Sequence, residues 1–189
     1  MKIINLEPNT PEWEAFRRLK IGASDCPAIC GVDPYTKPEK LWKRKFTGDK
    51  QYVSPAMRRG SELEGLARQM LEKSRGCAFP PMVVQHDRYD WMIASLDGYN
   101  EGWKCGVEIK CPGEKVFNKI VIERDIPKNY IYQVQHQMCV TDNEEYVLLV
   151  FNGVYFEEFS IYRDEGIIEE LIAKEERFYE SLIRGEYCE

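Results

Sequence analysis

The chain has 189 residues, 43% hydrophobic and 31% charged, with a formal net charge of −6. That is enough chain for one well-buried domain over residues 1–189 without disulfide or metal staples, and the composition excludes collagen-like, low-complexity and disordered classes. No apolar run reaches the ~18 residues that mark a membrane span, and the apolar stretch within Met1–Glu7 is too short for a secretion signal. Cytoplasm is therefore the expected location. The seven cysteines are an odd count in a chain expected to stay reduced. Cys26 and Cys30 can share a helix face and Cys105 and Cys111 flank a strand, but no Cys-x-x-Cys pair occurs. Small buried hydrophobes are thus a simpler reading than a zinc or iron-sulfur set built from these four. Charge is polarised: +5 over residues 1–60, −4 over 61–156 and −7 over 157–189. A basic first third on an acidic protein suits a phosphate-binding face or an ordinary solvated surface.

In chain order, Thr10 caps a helix that starts at Pro11 and runs to Leu19. A short helix follows from Ser24-Asp25 through Ile29, ending near Gly31. A third covers Pro38 to Phe46, with Leu41, Trp42 and Phe46 inward. Pro55 to Ser74 is a long helix whose Leu63, Leu66, Ala67, Met70 and Leu71 keep a three-four rhythm. Strands are expected at Met82–Gln85, Trp91–Leu96 and Gly106–Lys110, with turns at Asp87–Asp90 and Asn100–Lys104. A helix spans Ile126–Asp142, with Tyr130, Val134 and Met138 inward. Tyr146–Phe151 suits a central strand and Val154–Tyr162 an edge strand. Residues 164–184 close the chain as an amphipathic helix, with Ile168, Leu171, Ile172, Phe178 and Leu182 inside. The order predicts an α/β (α+β) domain with a mixed central sheet flanked by helices.

Chemistry concentrates in Ser95-Leu96-Asp97-Gly98 and Val107-Glu108-Ile109-Lys110. Glu108 and Lys110 share one face of a strand and Ile109 takes the other. An antiparallel return brings Asp97 beside Glu108, so two carboxylates and an ammonium meet. Their repulsion is relieved by a divalent cation of the Mg2+ class. Such a set can activate water and hold a phosphoryl oxygen, with Lys110 orienting the water or stabilising developing charge. The bland alternative is an ion pair on an exposed strand. On the helix before it, Glu62 and Glu64 lie about 200° apart, so only one faces a given site. Gln133, Gln135 and Gln137 give the later helix an unusual polar face. His86 and His136 read as structural, although His136 lies close enough in sequence to approach a phosphate.

Taken in order, Gly22-x-Ser24-Asp25, Arg59-Gly60-x-x-x-Glu64, Ser95-x-Asp97-Gly98, Glu108-x-Lys110-Cys111-Pro112 and Tyr130-x-x-Gln133-Val134-Gln135 resemble the lambda exonuclease family. These are the YqaJ-type viral recombinase nucleases of the PD-(D/E)XK superfamily. Leu96 stands where that superfamily usually has proline. The resemblance implies a single-domain PD-(D/E)XK nuclease-like fold. It further implies a Mg2+- or Mn2+-dependent 5′-to-3′ exonuclease with two ions per site, acting on double-stranded DNA with a free 5′ end. Products would be 5′-mononucleotides and a 3′ single-stranded tail for phage-type recombination. The partners implied are a homotrimeric ring and a phage single-strand annealing protein, in a bacterial host cytoplasm and without a membrane.

By the same resemblance Asp97, Glu108, the Ile109 carbonyl and Glu64 hold metal, Lys110 is the catalytic lysine, and Gln133 places the water, with Gln135 as second choice. Arg17, Ser24 and Ser95 form a 5′-phosphate pocket, with Arg18 an alternative to Arg17. Lys115 contacts the DNA backbone, Arg58 and Arg59 either do likewise or are ordinary surface charge, and Met57 is the strand-parting wedge. A site-specific or structure-specific endonuclease on the same fold, and a catalytically dead DNA-binding module, are the alternatives. The acidic tail packs outside, against a neighbouring subunit or the annealing partner.

Overall fold

The computed structural model describes residues 1–6, 10–50 and 52–187; Glu7 and Cys188 lie outside the described residues. In chain order the elements are β1 (Lys2–Ile4), α1 (Pro11–Arg17), β2 (Ile21–Gly22), α2 (Cys26–Ile29), α3 (Pro38–Thr47), α4 (Pro55–Arg75), β3 (Met82–Gln85) and β4 (Met92–Leu96). Then come β5 (Gly98–Asn100), β6 (Cys105–Lys110), α5 (Glu114–Glu123), α6 (Lys128–Thr141), β7 (Glu145–Phe151), β8 (Phe156–Tyr162) and α7 (Glu165–Arg184).

Helices begin where side chains satisfy their first free N–H groups. Thr10 Oγ1 accepts from Trp13 N, and Ser54 Oγ from Met57 N, both at 3.2 Å. Asp164 Oδ1 accepts from Ile167 N at 3.1 Å. Proline at the first position of α1, α3 and α4 supplies the fixed φ a helix start needs. The expected α1 runs two residues shorter than read, to Arg17. β1, β2, β5 and α5 are elements the sequence pattern did not signal.

The mixed sheet is built as two four-stranded halves. One has the order β1-β3-β4-β2 and the other β5-β6-β7-β8. The chain passes between them at Asp97, which separates β4 from β5. β5 pairs antiparallel with β6, setting Gly98 opposite Val107. A Cβ on Gly98 would lie 2.7 Å from both the Phe79 carbonyl and Val107 Cγ1, so only glycine fits this approach. β6 and β7 are parallel, and α5 and α6 form the crossover such a pair requires. β7 is buried along Tyr146–Phe151, as an apolar run between two neighbours should be.

Strand alternation divides the core. Val107, Ile109, Val147, Leu149 and Phe151 pack with Ala67 and Leu71 of α4. Tyr146, Leu148 and Val150 pack with Phe117 and Ile120 of α5 and Val134 and Met138 of α6. The other half-sheet supports α2, α3, α6 and α7 through Ile21, Met92, Ala94, Leu41, Leu171 and Phe178. Two inward expectations are corrected. Phe46 is 44% exposed, its ring stacked on Trp42, and Lys45 takes the buried position in its place. Leu66 is 46% exposed because α4 turns only Ala67 and Leu71 fully onto the sheet.

Candidate functional site

With Val107 and Ile109 packed under α4, the pleat turns Glu108 and Lys110 to the opposite face of β6, towards α6. There α6 presents Gln133 and Gln137, four residues apart and so on one helix face. Gln133 Nε2 donates to Glu108 Oε1 at 2.6 Å and Gln137 Nε2 donates to Glu108 Oε2. Lys110 Nζ lies 2.6 Å from Glu108 Oε1 and donates to Gln133 Oε1 at 2.8 Å. The same ammonium sits 5.2 Å from the centre of the Tyr130 ring. Glu108 is buried, with 2% exposure.

Asp97 reaches the same place from the seam between the half-sheets. Its Oδ2 accepts the Ile109 N–H at 2.7 Å, just beyond the end of the β5–β6 pairing at Gly98 and Val107. Above them α4 supplies Glu64 and Arg68. Arg68 Nη1 donates to the Asp97 carbonyl at 2.8 Å and lies 3.5 Å from Glu64 Oε1. Glu64 is half-buried and Glu62 exposed, so Glu64 is the acid on the site side of α4.

Three carboxylates meet two cations here. Burial, then Glu108 and Glu64, hold the Asp97 carboxyl well above its usual range. Burial raises Glu64 as well, with Arg68 opposing and Glu108 adding. Burial works against the Lys110 ammonium, but Glu108 and Asp97 outweigh it and hold its pKa up. The charge surplus and the oxygen donor chemistry of Asp97, Glu108, Glu64 and the Ile109 carbonyl suit a hard divalent cation, although the three carboxylates do not bring their oxygens within 4.8 Å of one another.

A second charged cluster lies at the start of the chain. Asp25 is 3% exposed and its Oδ2 accepts the Gly22 N–H at 3.0 Å. Lys45 Nζ stands 2.8 Å from Oδ2, and Arg44 Nη2 stands 3.7 Å from Oδ1. Burial opposes ionisation of Asp25, but Lys45 and then Arg17 prevail and lower its pKa. A groove of about 760 Å³ runs past Arg17, Arg18, Asp25, Arg44, Lys45 and Met57. Its lining carries Arg17, Arg18, Arg44, Lys45 and Lys50 against Glu14, Asp25 and Asp49, so a net positive field favours an anion.

The other expected residues fall as follows. Arg17 and Arg18 both line the groove, and Arg18 Nη2 also donates to the Phe46 carbonyl at 3.1 Å. Ser24 and Ser95 are exposed just beyond the short parallel pairing of β2 with β4. Met57 is 42% exposed at the groove and Lys115 is exposed in the first turn of α5. Arg58 is exposed, whereas Arg59 donates to the carbonyls of Cys111, Pro112 and Asn152 and ties α4 to two loops. Gln135 donates to the Tyr162 carbonyl and accepts from Asp164 N, so it joins α6 to the start of α7 instead of meeting Glu108. His136 is fully buried between Glu175 and the Ile93 carbonyl, which removes it from any phosphate. Cys26 and Cys30 neighbour each other, apart from Cys105 and Cys111, which pack with the α4 cluster.

Gln137, Arg68, Arg44, Lys45 and Asp25 carry contacts that the sequence reading did not assign. Gln137 had a local signal in its four-residue spacing from Gln133, and Asp25 in the motif Gly22-x-Ser24-Asp25.

Among solved structures, the alkaline exonuclease LHK-Exo of Laribacter hongkongensis superposes with a TM-score of 0.77 at 24% identity, covering 93% of this chain and 94% of that one. LHK-Exo in complex with dAMP gives the same values. A phage-related exonuclease of Haemophilus somnus 129PT gives 0.63 at 17% identity, over 88% and 96%. These likenesses show the lambda-exonuclease-like nuclease fold. The uncharacterized protein YqaJ of Bacillus subtilis (strain 168) is 30% identical over 190 residues, which is 96% of this chain; the chain spans 59% of that protein's length. A family model for the YqaJ-like viral recombinase domain matches residues 12–144. The chain that carries this acid-lysine cluster and basic groove therefore belongs to the YqaJ-like viral recombinase domain family.

Proposed function

We propose that the chain is a metal-dependent exonuclease that hydrolyses duplex DNA from a free 5′ end, releasing 5′-mononucleotides and leaving a 3′ single-stranded tail. The observation that carries this reading is the pairing of an acid-rich, lysine-bearing centre on β6 with a cation-rich groove at α1 and α3. One suits a hard cation and the other an anionic strand end. The exonuclease names of the structures with this fold support it, as does the mononucleotide dAMP bound to one of them.

Asp97, Glu108, Glu64 and the Ile109 carbonyl would hold Mg2+ or Mn2+, two ions per site. When bound, such ions supply Lewis-acid stabilisation of phosphoryl charge and a more acidic water. The protein's own residues do the rest. Glu108, fixed by both glutamines, keeps its two oxygens oriented. Lys110 stays protonated under the influence of Glu108 and Asp97 and offers its N–H groups to the developing negative charge or the attacking water. Gln133 locks the lysine rotamer and shares in placing the water.

Arg17, with Arg18 beside it and Ser24 and Ser95 at the rim, takes the 5′-phosphate through forked hydrogen bonds. Met57 at the groove parts the strands, and Lys115 meets the backbone. On this reading the protein works as a homotrimeric ring in a bacterial cytoplasm, beside a phage single-strand annealing protein.

The test offers linear and covalently closed duplexes to the purified protein with MgCl2, with MnCl2 and with excess chelator. Degradation of linear DNA alone, abolished by chelator, is expected. Cutting of closed circles would replace this reading with a site- or structure-specific endonuclease. Inactivity on every duplex with either metal would leave a DNA-binding module.

A further inference from the structure

A third polar cluster lies inside the protein, and neither centre above uses it. Cys26 of α2, His136 of α6 and Glu175 of α7 are each buried to completion. Their ligand atoms all lie within 4.8 Å of one another. Cys30, one turn after Cys26 and 6% exposed, holds its Sγ 3.9 Å from Cys26 Sγ. We propose that this cluster is a closed structural site for a zinc-class cation, with Cys26, His136 and Glu175 as ligands and Cys30 as the fourth.

Three independent features carry the assignment. The first is spacing. Two thiolates at ~2.3 Å from one tetrahedral ion stand about 3.8 Å apart; the two sulfurs are 3.9 Å apart, so a swing of the Cys30 side chain towards His136 and Glu175 completes the set. The second is the histidine. His136 Nε2 lies 2.9 Å from the Ile93 carbonyl, which can only accept, so Nε2 carries the hydrogen. That turns the Nδ1 lone pair onto Glu175 Oε1, 2.8 Å away. Two lone pairs at that distance need a positive charge between them, a proton or a metal. An imidazole whose far nitrogen donates to a backbone carbonyl is also the usual outer support of a metal ligand. The third is Glu175 Oε2, buried and with no donor in good hydrogen-bonding geometry among the described residues, the weakly donating Cys26 thiol being the group that faces the carboxylate. A desolvated acceptor left unpaired is costly, and a cation satisfies it.

The mixture of sulfur, nitrogen and carboxylate selects zinc over magnesium. Complete burial leaves no open position for substrate, which marks a structural site. Entry of the ion displaces protons to solvent: one from each thiol and the one shared by His136 and Glu175. No electron is transferred. Nδ1 and Oε1 separate to about 3.4 Å, and Cys30 swings in. The site would join three segments, one following the loop that carries Asp25, one bearing Gln133 and Gln137, and one closing the chain.

The test uses the full chain, stripped with chelator and titrated with zinc chloride or cobalt chloride. The Asp97–Glu108 centre offers oxygen ligands with Cys111 as its nearest thiol, so a thiolate-to-cobalt charge-transfer band in the near ultraviolet that is lost on replacing Cys26 and Cys30 reports the new site, whatever becomes of the nuclease reading. The expected results are a saturable sulfur band, about one zinc per chain by elemental analysis, and a higher Tm with zinc but not with magnesium. Cys30→Ser should roughly halve the band, and Cys26→Ser combined with Cys30→Ser should abolish it with the bound zinc. A wild-type protein with no sulfur band and no retained zinc overturns the proposal, even if the variants fail to fold. A band that persists in the double variant overturns it as well, because the sulfur would then come from elsewhere.

Discussion

Asp97 and Asp25 are the same residue type, both drawn into the protein, and each accepts one backbone N–H. Their ionisation moves in opposite directions. Asp97 faces Glu108 and Glu64 and is held well above the usual carboxylate range. Asp25 faces Lys45, Arg17 and Arg44 and is held below it. Burial opposes ionisation in both, so the sign of the neighbouring charge decides. One cluster is short of positive charge and invites a cation. The other has positive charge to spare and invites an anion.

The contrast is broken most severely at Asp25. Asp25→Asn leaves Lys45 buried without its counter-charge and should cost about 3–5 kcal/mol of stability, read by denaturant unfolding. Because Asp25 is held low, its contribution is present at neutral pH. It is lost only as the pH falls towards its own lowered value. The gap between wild type and variant should therefore stay open at about pH 5 and narrow only below the ordinary aspartate value of 3.8.

Lys110→Ala tests the other cluster. It should lower turnover on linear duplex by on the order of 100- to 1,000-fold while leaving DNA affinity, measured with metal present, within about twofold. Undiminished cutting would remove the lysine from the chemistry. Arg17→Ala should erase any preference for 5′-phosphorylated over 5′-hydroxyl ends, seen by comparing initial rates on the two substrates. A preference that persists would move the grip to Arg18. The smallest effect carries the opposite sign to the first. With chelator present, Asp97→Asn should stabilise the fold by about 1 kcal/mol, since it relieves repulsion and keeps the oxygen that accepts from Ile109. A Tm that falls would mean that the charge at Asp97 is compensated after all.

Legibility in the sequence followed the range of the interaction. The alternation along Val107-Glu108-Ile109-Lys110 is local, and it correctly separated the face under α4 from the face towards α6. Caps at Thr10 and Ser54 are equally local. β1 and β2, of three and two residues, carry no period of their own and exist only because β3 and β4 pair with them. α5 has only Phe117 and Ile120 buried and leaves Ile122 at 74% exposure, so its stripe is faint. The clusters around Asp25 and His136 were hidden for the same reason. Lys45 lies twenty residues from Asp25, and Glu175 thirty-nine from His136, distances that only the packed helices close.

The parallel pairing of β6 with β7 bears on when the protein becomes competent. Asp97, Glu108 and Lys110 precede Gln133 and Gln137 in the chain and leave the ribosome before them, on one tight hairpin. Their glutamine clamp arrives only after the whole crossover has been made and has folded back, and closure of so long a loop is slow. On the proposed reading, an unfinished chain carries the acids and the lysine but cannot aim them.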